Sequence, residues 1–329
     1  MSARIAVAPS ARPSGRLVTH ASLLLTAMLW GGNFAAIRML LDDLAPLEVI
    51  FIRTIGAAFF FSLVLLATGR PRLSIPRRDI ARLVGIGVLG VTVLNLAMIY
   101  GQSRIPATLA SLIVTSNPIH TALISRVLTG EPLTRRKLGG IALAFAGLVI
   151  VLRFGSVGAD ALSTRELAGV GILAIAPLSW AFYTVLSKPL LATYPSVHVA
   201  AYTTLAGAAP FLILPVLRPE LLGHVSRLDG RGWAAALFVT LISFVGGYIL
   251  WYRGLKTLAP SEAAVYIYLV PVFGLLTAWL LLHERPTPYL LLGGATILTG
   301  VILTNSGRRQ PSAAPTIDIR RAPVAEPVE

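Results

Sequence analysis

The sequence predicts an all-α polytopic membrane protein with ten transmembrane helices arranged as two inverted five-helix repeats. Three observations lead there. Of 329 residues, 55% are hydrophobic and only 13% are charged, whereas soluble domains carry roughly a quarter charged residues. So few charges cannot clothe a soluble chain of this size. Ten apolar stretches follow one another with short polar breaks. The second half of the chain also repeats the first at a nearly fixed offset.

The apolar stretches cover 19–40, 47–68, 82–101, 107–127, 137–154, 167–188, 197–217, 232–252, 260–282 and 288–305. Each supplies close to the ~20 residues that cross ~30 Å of hydrocarbon, the fifth and tenth being short. The loops between them leave no room for a separate catalytic domain. Residues 1–18 are basic, small and Pro-containing and read as a disordered cytoplasmic arm. The run that follows is full spanning length and lacks a small-residue cleavage pattern, which argues against a signal peptide. Residues 306–329 are Pro-rich and aperiodic and read as an unstructured cytoplasmic tail.

With the N-terminus inside, the cytoplasmic loops of the first half collect Arg70, Arg72, Arg77, Arg78 and Arg82, then Arg126, Arg135, Arg136 and Lys137. The formal charge of +14 is therefore charge at a membrane face and not a nucleic-acid signal. It predicts a multi-pass protein of the cytoplasmic (inner) membrane with both termini in the cytoplasm. The second half is less biased, because "RPELLGHVSRLDGRG" is basic and would lie outside. No Cys is present, which excludes disulfides and thiolate metal sites, and the five His are scattered singly. No metal and no cofactor is expected.

The repeat is clearest around the fourth and ninth stretches. "GQSRIPATLASLIVTSNPIHTALISRVLTGEPLTRRKLGGIALAFAGLVIV" aligns without a gap to "GLKTLAPSEAAVYIYLVPVFGLLTAWLLLHERPTPYLLLGGATILTGVILT". At an offset of 153 residues Gly101 meets Gly254, Pro118 meets Pro271, Glu131 meets Glu284 and Thr134 meets Thr287. Gly140 then meets Gly293, and Gly147 meets Gly300. Upstream, "LWGGNFAAIR" pairs with "SWAFYTVLSK" at an offset of 150, so that Trp30 meets Trp180, Asn33 meets Tyr183 and Arg38 meets Lys188. A unit of five spans is odd in number, so the second unit, 167–305, must enter the membrane from the side opposite to the first, 19–154. Secondary transporters use this arrangement to make two access states nearly equivalent.

These pieces resemble the EamA-type members of the drug/metabolite transporter superfamily over roughly residues 19 to 305. The resemblance implies ten helices from two five-helix units and a central cavity lined by the first, third, fourth, sixth, eighth and ninth spans. The fifth and tenth spans would be more peripheral. It also implies export of a small metabolite, amino acid-like compound or drug by alternating access, with a small-molecule substrate and membrane lipid as the partners. Arg153, close to the end of the fifth span, departs slightly from that pattern.

Several residues are candidates for the cavity or its gates. Trp30 and Asn33 lie on one helix face with Gly31 and Gly32 between them, and an amide in hydrocarbon needs a partner. Asn33 is then either a substrate or gate residue or interhelical glue, and Trp30 is cavity wall or packing. Trp180 and Tyr183 are their repeat counterparts. Asn95 matches Tyr248 at the 153-residue offset, and Trp251 and Tyr266 add aromatic surface that stacks on substrate or simply packs. Pro118 and Pro271 fall mid-span and are hinge candidates, with Asn117 placed to satisfy a freed carbonyl or meet substrate. Arg53 lies inside the second span, and an intramembrane charge is a functional candidate unless it snorkels to the headgroups. Glu262 is a possible coupling carboxylate, or a helix N-terminal charge after Pro260. Arg38 reads as an end anchor. Glu131 and Glu284 read as braces for loops or helix ends, with Thr287 as N-cap and Pro288 as first helical residue.

An uptake carrier or exchanger of the same fold is the nearest alternative function. A non-transporting scaffold is less favoured, as is an intramembrane enzyme, for which there is no carboxylate pair, Ser–His arrangement or metal motif. Gly139, Gly140, Gly147, Gly293 and Gly300 offer close-packing surfaces for a possible homodimer or for intramolecular contacts.

Overall fold

A computed structural model of the chain describes residues 13–67, 75–129, 134–154, 162–257, 266–267 and 269–305. Glu131, Glu262 and Tyr268 lie outside the described residues, as do most of the expected arm and all of the expected tail. Every regular element among the described residues is helical. The helices are α1 (Pro13–Asp43), α2 (Pro46–Ala67), α3 (Arg77–Gly87), α4 (Leu94–Gln102), α5 (Ala107–Val114), α6 (Asn117–Thr129) and α7 (Arg135–Phe154). The second half holds α8 (Thr164–Thr193), α9 (Ser196–Ala208), α10 (Leu214–Leu217), α11 (Leu221–Ser226), α12 (Gly230–Leu237), α13 (Gly247–Thr257), α14 (Val270–Leu282) and α15 (Pro288–Asn305).

Seven helical runs among the described residues are long and apolar enough to cross a membrane: Val18–Asp43, Pro46–Ala67, Arg77–Gln102, Ala107–Leu128, Thr164–Thr193, Ser196–Leu217 and Gly230–Leu255. Three shorter apolar helices accompany them, Leu138–Ile150, Val270–Leu282 and Pro288–Gly300. The protein is an all-α, multi-pass membrane protein. Several helices outrun the apolar stretches that announce them. The sixth stretch stops at Lys188 while its helix continues to Thr193, because a charge ends an apolar run without ending the backbone ladder.

Hydrocarbon offers no water to backbone or hydroxyl groups, so partners for them have to come from within the protein. Hydroxyls within the spans turn back onto their own helix: Ser22 to Val18 O, Thr26 to Ser22 O, Thr54 to Ile50 O and Ser62 to Ala58 O, all at 2.7–2.9 Å. Some helix starts are capped by side chains. Ser163 and Glu166 form a reciprocal capping box at α8, and the Leu290 amide donates to Thr287 Oγ1 with Pro288 opening α15, as the sequence predicts. His283 ends α14 in the left-handed region (φ 56°), with the Glu284 amide donating to Ala278 O at 3.3 Å. That turn delivers the Glu284 carboxylate to the Ala107 and Thr108 amides at 3.1 and 3.0 Å, so Glu284 braces the N-terminus of α5.

Two mid-span prolines behave differently from a simple kink. The fourth stretch is two helices, and the chain turns at Thr115 and Ser116 before Pro118. Pro118 then sits in the first turn of α6, where no helical donor is needed. Pro271 likewise falls in the first turn of α14.

Packing between the halves comes in matched pairs. Gly101 of α4 lies against Leu173 of α8, and Gly254 of α13 lies against Leu23 of α1. A Cβ on Gly147 would meet Ile297 N and Gly293 O, and one on Gly300 would meet Ala144 N and Gly140 O. Gly140, Gly147, Gly293 and Gly300 thus pack between α7 and α15 of one chain, helices that pack chiefly on each other, whereas a Cβ on Gly139 would meet nothing within 4 Å. Near the ends of the bundle, Glu48 Oε1 meets His224 Nδ1 at 2.7 Å. The Tyr194 hydroxyl donates to Asp79 Oδ2 at 2.8 Å, a bond to a carboxylate that raises the phenol's pKa.

Candidate functional site

The helix that begins as α3 and ends as α4 loosens into a π-helical stretch at Val88–Val93, and the one running from α12 into α13 does so at Phe238–Gly246. Such widened turns leave backbone carbonyls open to side chains and recur at functional sites. Here side chains from other helices take them. Ser179 Oγ donates to Leu89 O at 2.5 Å, and the Tyr248 hydroxyl approaches Gly90 O at 3.5 Å. Trp30 Nε1 donates to Ser243 O at 3.1 Å. Gly90 and Gly247 are required by close approach: a Cβ on the first would enter the Tyr183 ring, and one on the second would strike the Trp30 indole.

Around these stretches the rings gather. Trp30 lies edge-on to Trp180, centroid to centroid 5.2 Å at 86°, and is 5.3 Å from Trp251 and 6.1 Å from Tyr248. Trp180 is 5.2 Å from Tyr183 and 5.5 Å from Tyr248, and Tyr183 is 6.0 Å from Tyr252. Phe244 stacks on Tyr248 at 4.4 Å and 10°. Edge-to-face and offset pairs of this kind satisfy the ring quadrupoles. Trp30 and Trp180, aligned by the repeat, therefore touch each other between α1 and α8. The cluster is buried, with Trp30 alone half-buried.

Polar groups frame it. Asn33 Oδ1 accepts from Ser243 Oγ at 3.1 Å, joining α1 to the second π-helical stretch. Tyr183 OH and Thr203 Oγ1 are 3.2 Å apart. Asn95 donates to Val91 O at 2.7 Å while its Oδ1 is buried with no hydrogen-bond partner. Arg53 is buried at 5% exposure, so it does not snorkel; its Cζ stands 5.3 Å from the Phe244 centroid.

Five predicted residues, Trp30, Trp180, Tyr183, Tyr248 and Trp251, thus form one cluster, with Asn33 and Arg53 bonded or stacked onto its edge. Asn117 is apart from it: its Oδ1 accepts from Thr121 Oγ1 at 3.0 Å within α6. Tyr266 is also apart, 2.6 Å from His20 Nδ1 near the start of α1. Phe244, Ser243 and Ser179 join the site without having been singled out from sequence. Their signal is the π-helical widening, which leaves no residue-type pattern. A separate cleft of about 400 Å³ opens between the ends of α1, α4, α8 and α14, lined by Arg38, Ser103, Arg104, Arg165, Glu166 and Glu284. Arg38 is half exposed there and 3.8 Å from Asp42.

The model of the EamA-like transporter family matches residues 18–153 and 167–306. The chain belongs to the EamA-like transporter family. It is 30% identical to an uncharacterized transporter of Archaeoglobus fulgidus over 89% of this chain and 99% of that protein. It is 28% identical to a probable terminal-alkyne amino-acid exporter of Streptantibioticus cattleyicolor, over 89% of this chain and 96% of the relative. A probable amino-acid metabolite efflux pump of Escherichia coli is 27% identical over 87% and 94% of the two chains. A protein of known crystal structure, 20% identical, shares the fold at a TM-score of 0.64 over 89% of this chain and 96% of its own. This EamA-like protein is a membrane transporter, and membership of that family sets it apart from enzymes.

Proposed function

We propose that this transporter is a secondary carrier of the cytoplasmic membrane that exports a small amino acid-like metabolite by alternating access about the aromatic cluster. Ten spans in two inverted five-helix units, 19–154 and 167–305, would carry that motion, with both termini cytoplasmic. The observation that carries the reading is the exchange of contacts between the halves. Gly101 on Leu173 is answered by Gly254 on Leu23, the glycines 153 and the leucines 150 residues apart in sequence. The Thr92 hydroxyl donates to Gly207 O at 2.6 Å, and Thr240 lies against Gly56. Glu48 with His224 is answered by Tyr194 with Asp79.

Two units related this way can trade conformations, so that what is open on one side in one state is closed on it in the other. The two π-helical stretches are suited to be the joints, because their ladders are already loosened and their carbonyls are held by side chains of other helices. The family match in two segments and the efflux relatives support the reading of function and of small-molecule substrate. Uptake or exchange on the same fold is the alternative, since gradients set the direction of any carrier.

Purified protein in liposomes tests it. Under imposed pH or sodium gradients, a panel of amino acids, amines and neutral aromatic metabolites should include compounds that move at least tenfold faster than through empty liposomes. Trp30→Ala, at equal folded abundance, should lower turnover by tenfold or more. A panel that nowhere exceeds empty liposomes defeats the transport reading.

A further inference from the structure

Arg53 is the buried charge that the aromatic packing leaves unexplained. The guanidinium face rests over Phe244, whose ring stacks on Tyr248, but Nε and Nη1 are buried without a hydrogen-bond partner. No ion pair involves Arg53 among the described residues. The acid on its own helix, Glu48, is committed: Oε1 to His224 and Oε2 to the Ala45 amide. A guanidinium does not give up its proton to escape burial, as a lysine can. A buried cation with unpaired donors is therefore a site short of an anion, and within a membrane such charges serve transported species or their coupling.

We propose that Arg53 binds the carboxylate of the transported compound, with Phe244 and Tyr248 as the aromatic wall beside it. This rests on the transport reading above and narrows its substrate to carboxylates. Arg53 is the one buried Arg or Lys among the described residues. A monoanion balances it, whereas a dianionic phosphate would bring a second, uncompensated charge into the same low-dielectric site. The planar N–H fork also matches carboxylate geometry better than an ammonium would. The rest of the cluster, ring upon ring, offers apolar surface to the remainder of such a molecule.

The test compares amino acids with their own carboxamides, which keep shape and lose the charge. Thermal stabilisation of the detergent-purified protein and competition in liposomes are read for wild type, Arg53→Lys and Arg53→Met. In wild type the acids should act at concentrations at least tenfold lower than the amides. Arg53→Met should erase that preference, and Arg53→Lys should keep part of it. Acids and amides acting alike on wild type overturns the proposal without any variant having to fold. So does an acid preference that survives in Arg53→Met at wild-type abundance. Amines and neutral aromatics in the same panel separate the two readings: if they are transported while acids gain nothing, the Arg53 assignment fails and transport stands. If nothing moves, both fall.

Discussion

At the scale of single residues, the cluster depends on side chains that are missing as much as on those present. Gly90 lets the Tyr183 ring lie on the backbone of the first π-helical stretch, and Gly247 makes room for the Trp30 indole. A methyl at either place must push a large ring out of a packed interior, and overpacking of this kind costs about 1–3 kcal/mol. Gly139 on α7 is a matched control, because a Cβ there meets nothing within 4 Å. Gly90→Ala should unfold at lower temperature in detergent than wild type and slow transport. Gly139→Ala should be neutral or gain up to about 1 kcal/mol from helix propensity. Equal unfolding of Gly90→Ala and wild type would mean that Tyr183 is not seated against that backbone. Asn33 teaches a related point: its partner, Ser243, is a hydroxyl 210 positions away, and no local pattern could have named it.

At the scale of elements, the strut from Glu284 to α5 joins the two halves through one carboxylate. Two amides at the start of a helix have no intrahelical partner, and a negative charge there also meets the positive end of the helix dipole. Replacing Glu284 with Ala leaves both donors of a part-buried turn unpaired, a loss of about 1–2 kcal/mol by analogy with caps. Glu284→Gln should recover part of it, since one amide oxygen still accepts. Urea or thermal unfolding in detergent reads both, and an Ala variant as stable as wild type would show that water replaces the strut.

The sequence foretold this element well and others badly, for physical reasons. Apolar runs, Thr287 with Pro288, and the glycine alignment between 101–151 and 254–304 are local signals; they gave helix order and a cap, and left the glycines' partner open between a second copy and the same chain. Trp30 and Trp180 were found because the repeat set them at matching depth. The turn at Thr115 and Ser116, the π-helical stretches and the burial of Arg53 are products of tertiary packing. A proline marks where a helix can start as readily as where it bends, so Pro118 and Pro271 could not be assigned from sequence to one role.

At the scale of the whole molecule, inversion makes a claim that parallel repetition contradicts. Asp42 and Thr193, near the ends of α1 and α8, occupy equivalent places in the two units and are both exposed. Arg78, at the start of α3, and Glu220, ahead of α11, border equivalent connections, those between the second and third apolar stretches of each unit, and each is exposed. In parallel units each pair would share a side of the membrane; in inverted units each pair is split. The contacts favour splitting, because Glu48 beside Asp42 reaches His224 beside Glu220, while Tyr194 beside Thr193 reaches Asp79 beside Arg78. The protein contains no Cys, so single Asp42→Cys, Thr193→Cys, Arg78→Cys and Glu220→Cys variants give an unobstructed readout with a membrane-impermeant maleimide on intact cells. Positions 42 and 220 should label from outside, and positions 78 and 193 only after the membrane is opened. The basic loop around Arg77, Arg78 and Arg82 puts that side in the cytoplasm by the positive-inside rule. Labelling of 42 and 193 from the same side would remove the inverted repeat, and with it the symmetric exchange of states on which alternating access here depends.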